Sequence, residues 1–416
     1  MERRGTSRAP QKRIVSVLVL VQVVGGIGNG SGLAVGGLLV KDITGSSGWS
    51  GMAVVMLTLG AAAFTIPLSS LAARSGRRPA LTLGWLAGAS GAAVTVVGAE
   101  TRSLPVALVG LLLFGGSTAA NLQSRFAAVD RAAPAQVGRS LSVVVWSTTV
   151  GAVIGPNLTG PGAAVAGVLG LPDLSGPMLF SATAFATSGL LTVVLLRPDP
   201  LIGRPAGSQP APRGARAALP YVRGRTLTAI WVVASSHAVM VSVMALTPVH
   251  MEDHGASLEV IGLTISLHIA GMYALSPVMG WLADAWGQDR TILLGQAVLL
   301  LAAGVAGTSG DSQVQITVGL TLLGIGWSAS VIAGAAALTT SVEAGARPLV
   351  QGFSDLAMNL AGASGGLLAG LVVALSGFGT LNAAAAVLTV PVVVLVLSGR
   401  RVAARTGDPA ASDAAR

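Results

Sequence analysis

The chain contains no cysteine. Disulfides, thiolate metal sites and cysteine nucleophiles are therefore excluded. Charge is scarce as well: Asp, Glu, Lys and Arg together supply 10% of the 416 residues, against roughly 25% in a soluble globular domain. A water-facing surface cannot be built from so few charges. No Gly-Lys-Ser/Thr phosphate loop is present, and no polar stretch is large enough for an ATPase domain, so ATP-driven work is excluded too. What fills the chain instead is apolar, with 52% hydrophobic residues, a mean hydropathy of +0.75 and 56 glycines. Glycine at that frequency suits close helix–helix approach inside a membrane.

A spanning helix needs about 20 mostly apolar residues. Such runs occupy 14–40, 49–71, 79–99, 104–122, 141–170, 178–197, 226–248, 258–283, 290–309, 313–339, 350–376 and 379–399. The first follows a basic start (Arg3, Arg4, Arg8, Lys12, Arg13) but is too long for a signal-peptide core, so it reads as an uncleaved helix. The segment 198–225 carries six prolines and five arginines, has no apolar face to bury, and reads as a flexible linker. The expected organisation is an all-α polytopic membrane protein of twelve transmembrane helices in two pseudo-symmetric six-helix bundles. Its parts are a tail at 1–13, a first bundle at 14–197, the linker at 198–225, a second bundle at 226–399 and a tail at 400–416.

The basic residues test that topology. With the N-terminus cytoplasmic, only Lys41 and Arg102 of the 25 lysines and arginines fall on the outer side. Positive charge retained on one side orients membrane helices, so both termini are expected in the cytoplasm of a cell (inner) membrane protein. The same placement explains the net charge of +9 through anionic lipid headgroups, and nucleic acid is not expected as a partner.

Two short turns occupy equivalent places in the two halves. The first runs from Pro67 to Pro79 and holds Arg74, Gly76, Arg77 and Arg78; the second runs from Pro277 to Arg290 and holds Gly280, Asp284 and Gly287. They resemble the signature turn of the major facilitator superfamily, in which glycine, three residues, aspartate and then arginine, any residue, glycine and basic residues follow one another. Ser69 and Ala73 stand where that pattern has its glycine and aspartate in the first half. A further stretch, Gly151, Gly155, Pro156 and Gly160, resembles a pattern of the drug/proton antiporter branch, with Thr159 replacing one glycine and Leu111 standing where that branch has an arginine in the fourth helix. Physically, the proline bends the helix and the glycines let the bend pack closely. The resemblance implies a secondary transporter working by alternating access, with the turn residues, Asp130 and Glu343 as contacts of a cytoplasmic gate.

Ionisable groups inside spans mark functional sites. Asp355 is the acid that falls within a run; it is either a proton carrier or a neutraliser of its helix N-terminus. His237 and His268 lie about 15 Å from the external loop on neighbouring antiparallel spans. They are proton-coupling candidates, weighed against two separate packing histidines. Gln22, Asn29, Asn121, Trp146, Asn157, Tyr273, Gln296, Trp327 and Asn359 are candidates for a central cavity. The His250-x-Glu-Asp-His254 cluster reads as an ordinary polar turn, so no metal and no cofactor are expected. The expected partners are a small-molecule substrate, protons and the bilayer, with the chain a monomer. Proton-coupled efflux is the leading function, uptake of a small metabolite the alternative, and a membrane-embedded enzyme or sensor the third reading.

Overall fold

The computed structural model describes residues 8–45, 49, 51–201, 215–256 and 258–406. The expected linker and tails fall partly outside these residues, Arg204 and Arg213 among them. The helices in chain order are α1 Arg8–Thr44, α2 Gly51–Ser75, α3 Arg77–Glu100, α4 Leu104–Ala127, α5 Val137–Asn157, α6 Thr159–Val168, α7 Ser175–Leu195, α8 Gly224–Asp253, α9 Leu258–Tyr273, α10 Ser276–Ala285, α11 Gln288–Gly307, α12 Gln313–Ser341, α13 Arg347–Val387 and α14 Thr389–Thr406. No strand occurs among the described residues.

Eleven described stretches are long and apolar enough to cross a membrane. The last, Arg347–Ser398, has 52 residues. As one straight helix it would be about 78 Å long, more than twice the hydrocarbon thickness. Gly377 breaks it, with φ of 83°, a conformation that side chains with a β-carbon rarely take. Divided there, the described residues hold twelve stretches long and apolar enough to cross a membrane, and Gly377 falls between the last two apolar runs of the sequence.

Two other apolar runs are broken by missing hydrogen bonds. The run 141–170 divides at Leu158 into α5 and α6. Pro161 has no N–H to give the carbonyl of Asn157, and Pro156 none for Ala152. The run 258–283 divides at Ala274–Leu275 into α9 and α10. Pro277 leaves the carbonyl of Tyr273 without its helical donor, and the hydroxyl of Ser276 donates to that oxygen at 2.6 Å instead.

The chain forms two compact units. One comprises Met1–Ala132, Ser147–Ala218 and Ala344–Phe353; the other comprises Ala133–Trp146, Leu219–Glu343 and Ser354–Arg416. Within the first, α1 crosses the second half of α5 through paired glycines. A β-carbon at Gly151 would overlap the backbone of Gly26, and one at Gly155 would overlap Gly30. Bare backbone on both sides lets the helices touch, which is the close packing that binds helices where hydrophobic burial gives no drive. The Ser31 hydroxyl adds a buried hydrogen bond to the Gly155 carbonyl at 3.2 Å. Within the second unit α12 is the central element: every residue from Gly326 to Thr339 is buried. That stretch is apolar on every face because it is contacted on all sides, whereas Val314 and Val318 nearer its start are exposed.

Candidate functional site

The two signature turns build helix starts. In the first unit, α2 ends at Ser75 and α3 begins at Arg77, with Gly76 between them at φ of 100°. The first N–H groups of α3 have no intrahelical acceptor. Asp199, from the segment after α7, supplies one: its carboxylate accepts from Arg77 N at 3.2 Å and Arg78 N at 2.7 Å, and also from Leu201 N at 2.8 Å. A β-carbon at Gly76 would overlap that carboxylate. Arg131 holds the same segment through the carbonyls of Pro200 and Asp199.

The Arg77 side chain turns inward. Its Nε donates to Asp130 Oδ2 at 2.7 Å and its Nη2 to Asp130 Oδ1 at 3.2 Å, with both side chains buried. The same Nη2 donates to Gln351 Oε1 at the start of α13. Arg74 is exposed and Arg78 half-buried.

In the second unit the matching acid is Asp284, at the end of α10. It accepts from Gly138 N at 2.8 Å and Arg139 N at 2.9 Å, which caps the start of α5. The carbonyl of Gly280 presses so closely on Gly138 that no side chain fits there. Gly287, at φ of 94°, makes the turn into α11 as Gly76 does into α3. Glu343 is exposed. In each unit a carboxylate sits on a helix N-terminus, favoured by the helix dipole: Asp199 from outside the first turn caps α3, and Asp284 from within the second caps α5.

The candidate membrane-depth residues divide between the two units. In the first, Asn29 donates to the Gly25 carbonyl, while its Oδ1 accepts from Ser117 Oγ at 3.0 Å. Buried Gln22 donates to the Asn121 carbonyl at 3.2 Å. Asn157 is exposed and donates back to Val153 of its own helix, and Gly160 meets open space. The side chain of Pro156 lies outside the described residues. Trp146, in the second unit, is 41% exposed.

The second unit holds the denser group. Trp327 Nε1 donates to His237 Nδ1 at 3.1 Å. Because indole can only donate, that histidine nitrogen is the acceptor and the neutral ring carries its hydrogen on Nε2. Tyr273 meets Trp327 edge-on, with centroids 5.9 Å apart and planes at 82°. Gly362 of α13 leaves room for the His237 ring, which a side chain there would strike. Below this, Gln296 is fully buried and its amide donates to Ser236 Oγ and Ser330 Oγ, both at 2.9 Å. His268 takes a different partner from His237: it is fully buried, with Nδ1 2.8 Å from the Leu320 carbonyl. Asp355 is fully buried in α13, and its carbonyl accepts from Asn359 at 2.7 Å.

Sequence reasoning left out Asp199, Gln351 and the serines that serve Gln296. Asp199 sits between two prolines in a segment read as linker; the available signal was an acid within reach of an uncapped helix start. At the end of α8, His250 stacks on Phe378 with centroids 4.2 Å apart, and His254 lies 3.6 Å from Asp311. The side chains of Glu252 and Asp253 lie outside the described residues, and no group of three metal-ligating side chains gathers among the described ones.

The sequence model of the Major Facilitator Superfamily matches residues 18–258 and 232–415. The chain is 35% identical over 395 residues to the MFS-type transporter YddS of Bacillus subtilis, covering 93% of this chain and 90% of that one. It is 30% identical over 409 residues to the riboflavin transporter RfnT of Brucella anthropi, covering 94% and 96%. Among solved structures, the human organic anion transporter MFSD10 superposes with a TM-score of 0.75 at 19% identity, covering 93% of this chain and 99% of that one. The transporter FucP in its outward conformation gives 0.74 at 14% identity, covering 92% and 98%. These two likenesses concern the fold.

Proposed function

This chain belongs to the Major Facilitator Superfamily, and from that premise we propose that it is a proton-coupled secondary transporter that exports a small amphipathic molecule by alternating access. That it is a membrane transporter rather than an enzyme follows from the family and from its transporter relatives. The reading of proton coupling rests on one observation, the half-buried His237 ring tied to the Trp327 indole at membrane depth. Protonation of Nδ1 and acceptance of the indole hydrogen exclude each other. Proton uptake at that atom therefore releases Trp327, so the charge on the ring and the shape of the surrounding wall change together. Tyr273, Trp327 and His237 offer ring faces and edges to a flat solute, and such surfaces bind aromatic ligands through offset and edge contacts.

The export direction is supported by the α5 glycines that resemble the antiporter pattern. The same glycines clasp α1, so they also serve packing. Uptake is the second reading. In either direction a flat heteroaromatic solute is favoured by the aromatic group together with the 30% identity to a riboflavin transporter. The basic turns are proposed to face the cytoplasm. The test uses purified protein in liposomes loaded with a pH-reporting dye, with riboflavin and ethidium offered in turn. Solute-driven proton movement of opposite sense to the solute supports export by antiport. Movement of the same sense supports uptake by symport, and solute flux without proton movement removes the coupling.

A further inference from the structure

The outer wall of the first unit carries a groove of ≈ 510 Å³ at the basic end of α3, between α3 and α7. Its lining includes Arg78, Thr82, Leu83, Leu86, Val193 and Asp199. We propose that this groove holds the headgroup and upper acyl chain of one anionic phospholipid.

The argument begins with the charges. Arg77 and Arg78 are neighbours with opposite fates: Arg77 is spent on Asp130 and Gln351, whereas the Arg78 guanidinium has no hydrogen-bond or ion-pair partner among the described residues. The Asp199 carboxylate beside it is turned to three backbone hydrogens, two of them from the start of α3, and makes no ion pair with the guanidinium. The polar end of the groove thus presents a guanidinium whose planar donors are unengaged among the described residues and suit a phosphate. The Thr82 hydroxyl, one turn deeper, is buried with no partner among the described residues.

The rest of the lining is apolar. Leu83 and Leu86 are each 46% exposed on one face of α3, and half-buried Val193 faces them from α7. From Arg78 to Leu86 the groove follows α3 for about 12 Å. That length leads from the headgroup level well into one leaflet of a bilayer whose hydrocarbon is about 30 Å thick. A cation at the polar end and an apolar channel leading inward match a phospholipid, and a free anion would leave the channel unused.

The test is native mass spectrometry of the full chain in detergent, with phosphatidylglycerol or phosphatidylcholine added. The wild type should retain one phosphatidylglycerol in preference to phosphatidylcholine. Arg78→Gln should lower that retention about fivefold, the worth of one basic residue at a lipid surface. Leu86→Trp, which fills the channel, should lower retention of both lipids. Arg74→Gln, on the exposed neighbouring turn, should change neither. Thermal unfolding in detergent confirms that each variant is folded. Equal retention by Arg78→Gln, an equal loss in Arg74→Gln, or inorganic phosphate displacing the lipid while Leu86→Trp has no effect would each overturn the proposal.

Discussion

Trp327 on α12 donates its indole hydrogen to His237 on α8, and that bond sets which nitrogen of the histidine can take up a proton. His237→Gln keeps a polar side chain of similar reach but cannot titrate. It is expected to abolish the pH dependence of transport while leaving solute binding measurable; a pH series of initial rates checks this. Trp327→Phe keeps the ring and removes the donor. It should weaken solute affinity less than Trp327→Ala, which also removes the edge contact with Tyr273.

The Arg77–Asp130 pair is fully buried, and removing one member strands the other charge. Breaking a buried pair costs about 3–5 kcal/mol. Asp130→Asn is therefore expected to lower the thermal midpoint strongly, and Arg77→Met combined with Asp130→Leu to recover much of it. If the pair also closes a gate, Asp130→Asn changes transport kinetics at temperatures where the protein is folded; unchanged kinetics would remove that role.

Asp284 and Asp199 do the same work on α5 and α3. Loss of a capping side chain costs about 0.5–2 kcal/mol, so Asp284→Ala and Asp199→Ala should each produce a modest fall in thermal midpoint. Gly138→Ala should be worse than either. The added methyl meets the Gly280 carbonyl, and neither backbone can yield without moving a helix.

The glycines of α5 and α6 separate by contact. Gly151→Ala and Gly155→Ala push the α5 backbone away from Gly26 and Gly30 and are expected to reduce folded yield. Gly160→Ala meets open space and should be tolerated. Fluorescence-detected size-exclusion chromatography of the three variants distinguishes them.

Much of the fold was legible because apolar length and basic placement are local signals. The gap between the last two runs coincides with the Gly377 break for that reason. The breaks at Leu158 and at Ala274–Leu275 were hidden inside continuous apolar runs. Only the prolines at 156, 161 and 277 signalled them, and a proline in a membrane helix can bend it without ending it. The site was less legible. Asp199 caps a helix more than a hundred residues earlier in the chain, and no local pattern announces such a partner. Trp146 and Asn157 were chosen as polar or aromatic residues in an apolar run. In a membrane helix both faces are apolar, so sequence does not say which one faces lipid. His237 and Trp327 were each found separately; their bond depends on how α8 and α12 pack.

Proton flux measured in proteoliposomes as solute is added tests the account most directly. Wild-type protein should move protons when a transported solute is supplied, and His237→Gln should move the solute without them. Proton movement that persists undiminished in His237→Gln would contradict it.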